Sequence, residues 1–200
     1  MNRGLMVTLL ALTLALTGCA GAIRNDAGGN GAPPPSTPGQ GPGSGVGAPG
    51  NDFSLRVGAG VLALRDWDSE VDLRALLGPP RREEVRTLGP GSDTYQGSFV
   101  KELSFPGLDL TLFSPPDNGR SFWIMEMRVS GEQFSTPRGV RVGDPLAALQ
   151  EAYPELEPVP DGRQDPCNRD YRLPADAADH LIFEVRGGRV DTIHLYHEFP

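Results

Sequence analysis

Apolar and polar residues alternate over several short stretches in the last three quarters of the chain. Phe99, Leu103 and Phe105 share one parity, Pro106-Gly107 turns the chain, and Leu108, Leu110 and Leu112 resume the alternation. Trp123, Met125, Met127 and Val129 make the next run, and Leu181, Phe183 and Val185, then Ile193 and Leu195, make the last two. A period of two is the mark of a half-buried strand, with one parity turned to a core and the other to solvent. A strand is also expected at residues 171–173, and Arg186-Gly187-Gly188-Arg189 has the composition of a tight hairpin turn. Shorter strands are expected at 61–64 and 140–142, while 81–88 suits a short helix or a strand.

Two segments carry helical spacing instead. Ser69 is placed to cap a helix with Asp72 at its third position and Val71, Leu73, Leu76 and Leu77 as its apolar stripe, stopped by Gly78-Pro79-Pro80. Asp144 is a second N-cap, with Pro145 at the first helical position, Leu146, Leu149 and Tyr153 on the buried face, and Pro154 as the stop. Each helix is followed by alternating strands. The pattern therefore predicts an α+β domain of two tandem helix-plus-meander repeats, about residues 55–135 and 136–200, with helices on one face of an antiparallel sheet in two layers.

The N-terminal quarter follows no such pattern. Arg3 is followed by an almost wholly apolar run from Leu5 to Leu16 and then by small residues, which is the layout of an export signal. Leu16-Thr17-Gly18-Cys19 resembles the lipobox of bacterial lipoproteins, a family in which the signal is cut between the residues corresponding to Gly18 and Cys19 and the Cys sulfur carries the lipid. The resemblance implies a signal peptide over 1–18, an extracytoplasmic location and an anchor to the bacterial cell membrane through Cys19. Residues 20–51 hold 10 Gly and 6 Pro among 32 positions, the composition of a disordered tether, so the expected domain is 52–200.

Composition narrows the function by exclusion. A net charge of −8 argues against a nucleic-acid partner, which calls for a basic stripe to displace counterions. Of the 18 basic residues only Lys101 is a lysine, read here as a trace of a GC-rich genome. With Cys19 consumed by a lipid, Cys167 reads as an incidental thiol: no cation or helix start beside it is evident to activate it. Histidines 180, 194 and 197 make a poor metal set, because 194 and 197 fall on opposite faces of a strand, and His180 reads as a loop residue. Asp66, Asp68, Glu70 and Asp72 lack the glycine of a calcium loop, since Val71 stands there. Gly58-Ala59-Gly60 is not followed by the parallel unit of a nucleotide site. The chain carries no nucleophile elbow, phosphate loop or zinc-protease motif. No cofactor and no catalysis are expected.

What remains is a surface. With Trp123, Met125, Met127 and Val129 turned inward, Phe113, Phe122, Ile124, Ile182, His194 and Tyr196 fall on the outward sheet face, aromatic residues among charges as in a protein-binding surface. The expected function is a monomeric, non-catalytic interaction module for a protein partner. The alternative is a sensory lipoprotein taking a small molecule or peptide between its halves.

Leu76-Leu77-Gly78-Pro79 and Val140-Arg141-Val142-Gly143-Asp144-Pro145-Leu146 resemble the repeats of the β-lactamase-inhibitor-protein-like fold. They are similar also to the small outer-membrane-assembly lipoproteins of that architecture. Asp93-Thr94-Tyr95-Gln96-Gly97-Ser98 and Thr136-Pro137-Arg138-Gly139-Val140 resemble segments of exported proteins of spore-forming bacteria. The resemblance implies tandem repeats and protein binding by the open sheet face. It does not extend to the disulfides of the inhibitor repeats.

Overall fold

The computed structural model describes residues 51–174 and 178–198, apart from the Asp93 side chain. The expected export signal, Cys19 and nearly all of the tether lie outside the described residues. Eleven strands and two α-helices follow in chain order: β1 (Ser54–Val57), β2 (Gly60–Ala63), α1 (Leu73–Leu77), β3 (Arg82–Thr87), β4 (Phe99–Phe105), β5 (Leu108–Ser114) and β6 (Trp123–Val129), then β7 (Phe134–Ser135), α2 (Leu146–Ala152), β8 (Glu157–Pro158), β9 (Asp170–Arg172), β10 (Asp179–Arg186) and β11 (Arg189–His197). Eight of the strands form one antiparallel sheet in the order β3-β4-β5-β6-β11-β10-β9-β8. The other three form a small sheet, β2-β1-β7.

The architecture is therefore mostly β, and the expected α+β domain of two helix-plus-meander repeats does not form. The reason is helix length. The Asp72 carboxylate, not Ser69, caps α1 by accepting the Ala75 N–H at 3.0 Å, which starts the helix late. Gly78 then stops it with a φ of 81° after five residues. Pro145 and Pro154 confine α2 to seven residues, and the Asp144 carboxylate closes the preceding turn on the Arg141 N–H at 2.8 Å instead of capping the helix. Helices of one to two turns cannot cover eight strands. The small sheet shares that work: Leu55, Val57, Leu62 and Phe134, with Leu64 just after β2, join the same core cluster as Leu110, Met127, Phe183 and Leu195.

The two halves are also unlike in detail. The segment at 81–88 is a strand, β3, fully paired with β4. Its counterpart β8 has two residues and ends in proline. Residues 140–142 form no strand and lead through a turn to α2, while β2 forms close to the expected position, at Gly60–Ala63. Elsewhere the alternation is read correctly. Leu103, Phe105, Leu108, Leu110, Leu112, Leu181, Phe183, Val185, Ile193 and Leu195 are all buried in one core. Gly187 and Gly188, both at positive φ, make the hairpin turn between β10 and β11. His180 lies on β10, not in a loop.

Candidate functional site

The side of the sheet away from the core is set by the strand registers. Pairing places Thr111 opposite Glu126, but Leu112 opposite Ile124, so Met125 is an extra residue in β6. Such a bulge reverses parity along its strand. Met127 and Val129 point into the core as expected. Beyond the bulge, Ile124 does so instead of pointing out, and is 1% exposed. Phe122, just before β6, is 3% exposed and belongs to the same core. Neither residue belongs to an outward surface, which corrects two of the six expected binding residues.

Phe113 is on the outward side, opposite Val100, but is covered. The 3₁₀ segment Pro90–Tyr95 brings the Tyr95 ring to 5.8 Å from it, and Trp123 meets it edge-on at 5.6 Å. On β10 and β11 the outward residues His180, Ile182, His194 and Tyr196 remain partly open to solvent. Ile182 stands directly opposite His194, and His180 opposite Tyr196. The His180 and Tyr196 rings stack at 4.7 Å, and His194 lies 4.9 Å from Tyr196 on its other neighbouring position. Three of the expected residues thus come together, Ile182, His194 and Tyr196, and His180 joins them.

Charged pairs surround this patch. The Arg128 guanidinium meets Glu184, Arg186 reaches Glu184 at 3.3 Å and Asp170 at 2.9 Å, and Arg172 reaches Glu157 at 3.2 Å. On the other flank His194 Nε2 lies 2.8 Å from Glu126. The His194 hydrogen bond holds the Glu126 carboxyl below the usual glutamate range, against the opposing effect of its burial. A carboxylate with a lowered folded-state pKa contributes stability above its unfolded value and loses it as pH falls through the folded one. The stability difference between wild type and Glu126→Gln, followed by chemical unfolding across pH, is therefore expected to be largest near neutrality and to vanish in acid. A difference that grows on acidification contradicts the pairing. Burial in the stack also raises the Tyr196 hydroxyl above its usual pKa.

The core side of the sheet holds a second feature. The alternation that makes Phe99, Leu103 and Phe105 inward-facing also turns Lys101 inward. Its ammonium lies 2.7 Å from Asp68 and 3.9 Å from the centre of the Phe122 ring, and the Asp68 carboxylate also accepts the Phe122 N–H at 2.8 Å. Both charged side chains are only 16% exposed. They line a cleft of about 370 Å³ with Glu70, Leu73, Arg74, Glu83 and Leu103. This cluster went unread in the sequence, although a lysine on the apolar parity of a strand is the signal for it.

The remaining acids of the 66–72 run have local roles. Asp66 accepts the Ala63 N–H at 2.8 Å, and Asp72 caps α1. Each histidine meets a carboxylate: His194 with Glu126, His180 with Glu198 at 3.1 Å and His197 with Asp179 at 2.7 Å. Among the described residues no three His, Cys, Asp or Glu side chains are placed to hold one metal ion. Cys167 lies in the 3₁₀ segment Pro166–Asn168, where its N–H donates to the Asp165 carboxylate at 2.9 Å. No described helix is long and apolar enough to cross a membrane.

Compared with known proteins, the chain matches no family model, no curated protein and no solved structure.

Proposed function

We propose that the chain is a bacterial lipoprotein held outside the cytoplasm through a lipid on Cys19, and that its domain is a non-catalytic protein-interaction module. The single observation that supports the module is the His180–Tyr196–His194 ring stack beside Ile182, standing on the outward side of β10 and β11 and partly open to solvent. Rings already stacked against each other lose little side-chain freedom on binding, and the charged pairs around them supply a polar rim. Aromatic anchors inside such a rim are where binding energy concentrates, with truncations costing about 2 kcal/mol or more.

The test is capture of a partner from the envelope fraction of the source organism by the immobilised full chain. An Ile182→Ala/Tyr196→Ala variant is compared with Val61→Ala, an exposed change on β2 far from the stack in sequence and sheet. The reading expects a partner retained by Val61→Ala and wild type and lost by the double variant, with circular dichroism of the variants unchanged. A partner retained equally by all three contradicts it.

The Lys101 cleft favours a second reading, a small-molecule binder. Its volume falls in the range of ligand pockets, and its walls combine Leu73, Leu103 and Phe105 with a buried ion pair. On that reading an amphiphilic ligand raises the melting temperature by linkage, and Leu103→Trp, which fills the cleft, abolishes the shift.

A further inference from the structure

The two edges of the large sheet are unlike. The β8 edge is two residues long and carries Pro158, which cannot donate to a further strand. The β3 edge, Arg82–Thr87, is six residues long, contains no proline and is exposed at every position. Val85 on it is 52% exposed, one of two large apolar residues so open among the described residues.

The backbone direction on this edge follows from the pairing with β4. Leu88 N–H donates to the Ser98 carbonyl at 2.8 Å, and directions alternate along an antiparallel strand. The N–H and C=O groups of Glu84 and Arg86 therefore face β4, and those of Glu83, Val85 and Thr87 face outward. On the outward side of the sheet the charges run Arg82, Glu84, Arg86, which is plus, minus, plus. A single-sign edge would repel its own copy; this one does not.

We propose that β3 pairs antiparallel with β3 of a second copy of the chain, about a two-fold axis through Val85. In that register Val85 faces Val85 of the second copy as a hydrogen-bonded pair, and Glu83 exchanges bonds with Thr87 of the second copy. Glu84 then stands opposite Arg86 of the second copy, and Arg86 opposite its Glu84, at the closer, non-bonded positions where side chains interact best. The neighbouring symmetric register, centred on Glu84, sets Glu84 against Glu84 and Arg82 against Arg86, so charge selects the Val85-centred one. The product is a continuous sheet of both copies in which each chain's exposed edge and exposed valine are covered. This departs from the monomer expected on sequence.

The experiment uses the full chain. A Val85→Cys variant places two sulfurs across a hydrogen-bonded pair, whose Cα separation of about 5.5 Å suits a disulfide. Oxidation is expected to give a covalent dimer on non-reducing gels, in excess of that formed by wild type and by Val61→Cys, an equally exposed site on β2. Without any cysteine change, sedimentation is expected to show a dimer that Glu84→Arg weakens by about tenfold, because two attractive cross-strand pairs become repulsive. Glu84→Arg/Arg86→Glu restores it. Cross-linking of Val85→Cys no greater than that of Val61→Cys overturns the proposal, as does a dimer indifferent to the charge swap. These outcomes leave the partner-binding face of β10 and β11 untouched.

Discussion

Replacing Phe122 with alanine is expected to cost about 3–5 kcal/mol of unfolding free energy, the range for removing a large aromatic side chain from a packed core. The ring is buried within the main core cluster, beneath the Lys101 ammonium and beside the Asp68 carboxylate that accepts its own N–H. Truncation leaves a cavity and takes away the ring face on which the ammonium rests. By contrast Tyr196→Ala, on the other side of the sheet, removes a partly open ring and is expected to cost much less stability while acting on binding. Urea unfolding of the two variants side by side measures this. Equal destabilisation would mean that Tyr196 is as much a core residue as Phe122, and the assignment of faces would be wrong.

The second large effect is expected at Asp68. Removing one partner of a largely buried ion pair strands the other charge, at a cost of about 3–5 kcal/mol. Asp68→Ala would leave the Lys101 ammonium with the Phe122 ring but no carboxylate within its present bond, and would orphan the Phe122 N–H as well. Lys101→Met is expected to be milder, because the methionine fills the same space among Leu103, Phe105 and Phe122 without a charge. The double variant Asp68→Ala/Lys101→Met should recover a large share of the loss, since the stranded ammonium is gone. A double variant no more stable than Asp68→Ala alone contradicts this account of the pair. The three residues touch, so their single effects are not additive.

How far the sequence revealed this molecule depended on what each residue's neighbours had to supply. Alternation reports one strand at a time, and it placed Leu108–Leu112, Leu181–Val185 and Ile193–Leu195 correctly because each of those runs is regular against the core. It failed at β6, where the bulge at Met125 is fixed by pairing with β5 and cannot be read from β6 alone. That one extra residue turned Ile124 inward, while Phe122 joined the core just ahead of the strand. Both helices lie close to where their caps and stops put them, but they are too short to cover the sheet. Asp72, Gly78, Pro145 and Pro154 were all visible, but the covering layer came from β1 and β7, whose pairing joins residues nearly eighty positions apart. Short segments with long-range partners leave little local signal. The Lys101–Asp68 pair was legible in part: the parity of Lys101 pointed inward, and only its partner required the fold. His180 joined the stack through its register with Tyr196, again a long-range fact.

Cys167 raises a further point of chemistry. The sequence holds two cysteines, Cys19 and Cys167, and the proposed lipid anchor uses the Cys19 sulfur. One sulfur atom cannot be both thioether and disulfide, so the two fates of Cys19 exclude each other in any one molecule. In the proposed function the anchor places the domain outside the cytoplasm at a membrane, where the proposed interaction face would meet its partner.

Mass spectrometry of the peptide bearing Cys19, from protein purified out of the source membranes, tests that placement directly. The account predicts a chain that begins at Cys19, with its sulfur carrying a diacylglyceryl group and no linkage to the Cys167 peptide. A Cys19 peptide without lipid, joined through a disulfide to the peptide of Cys167, would contradict it.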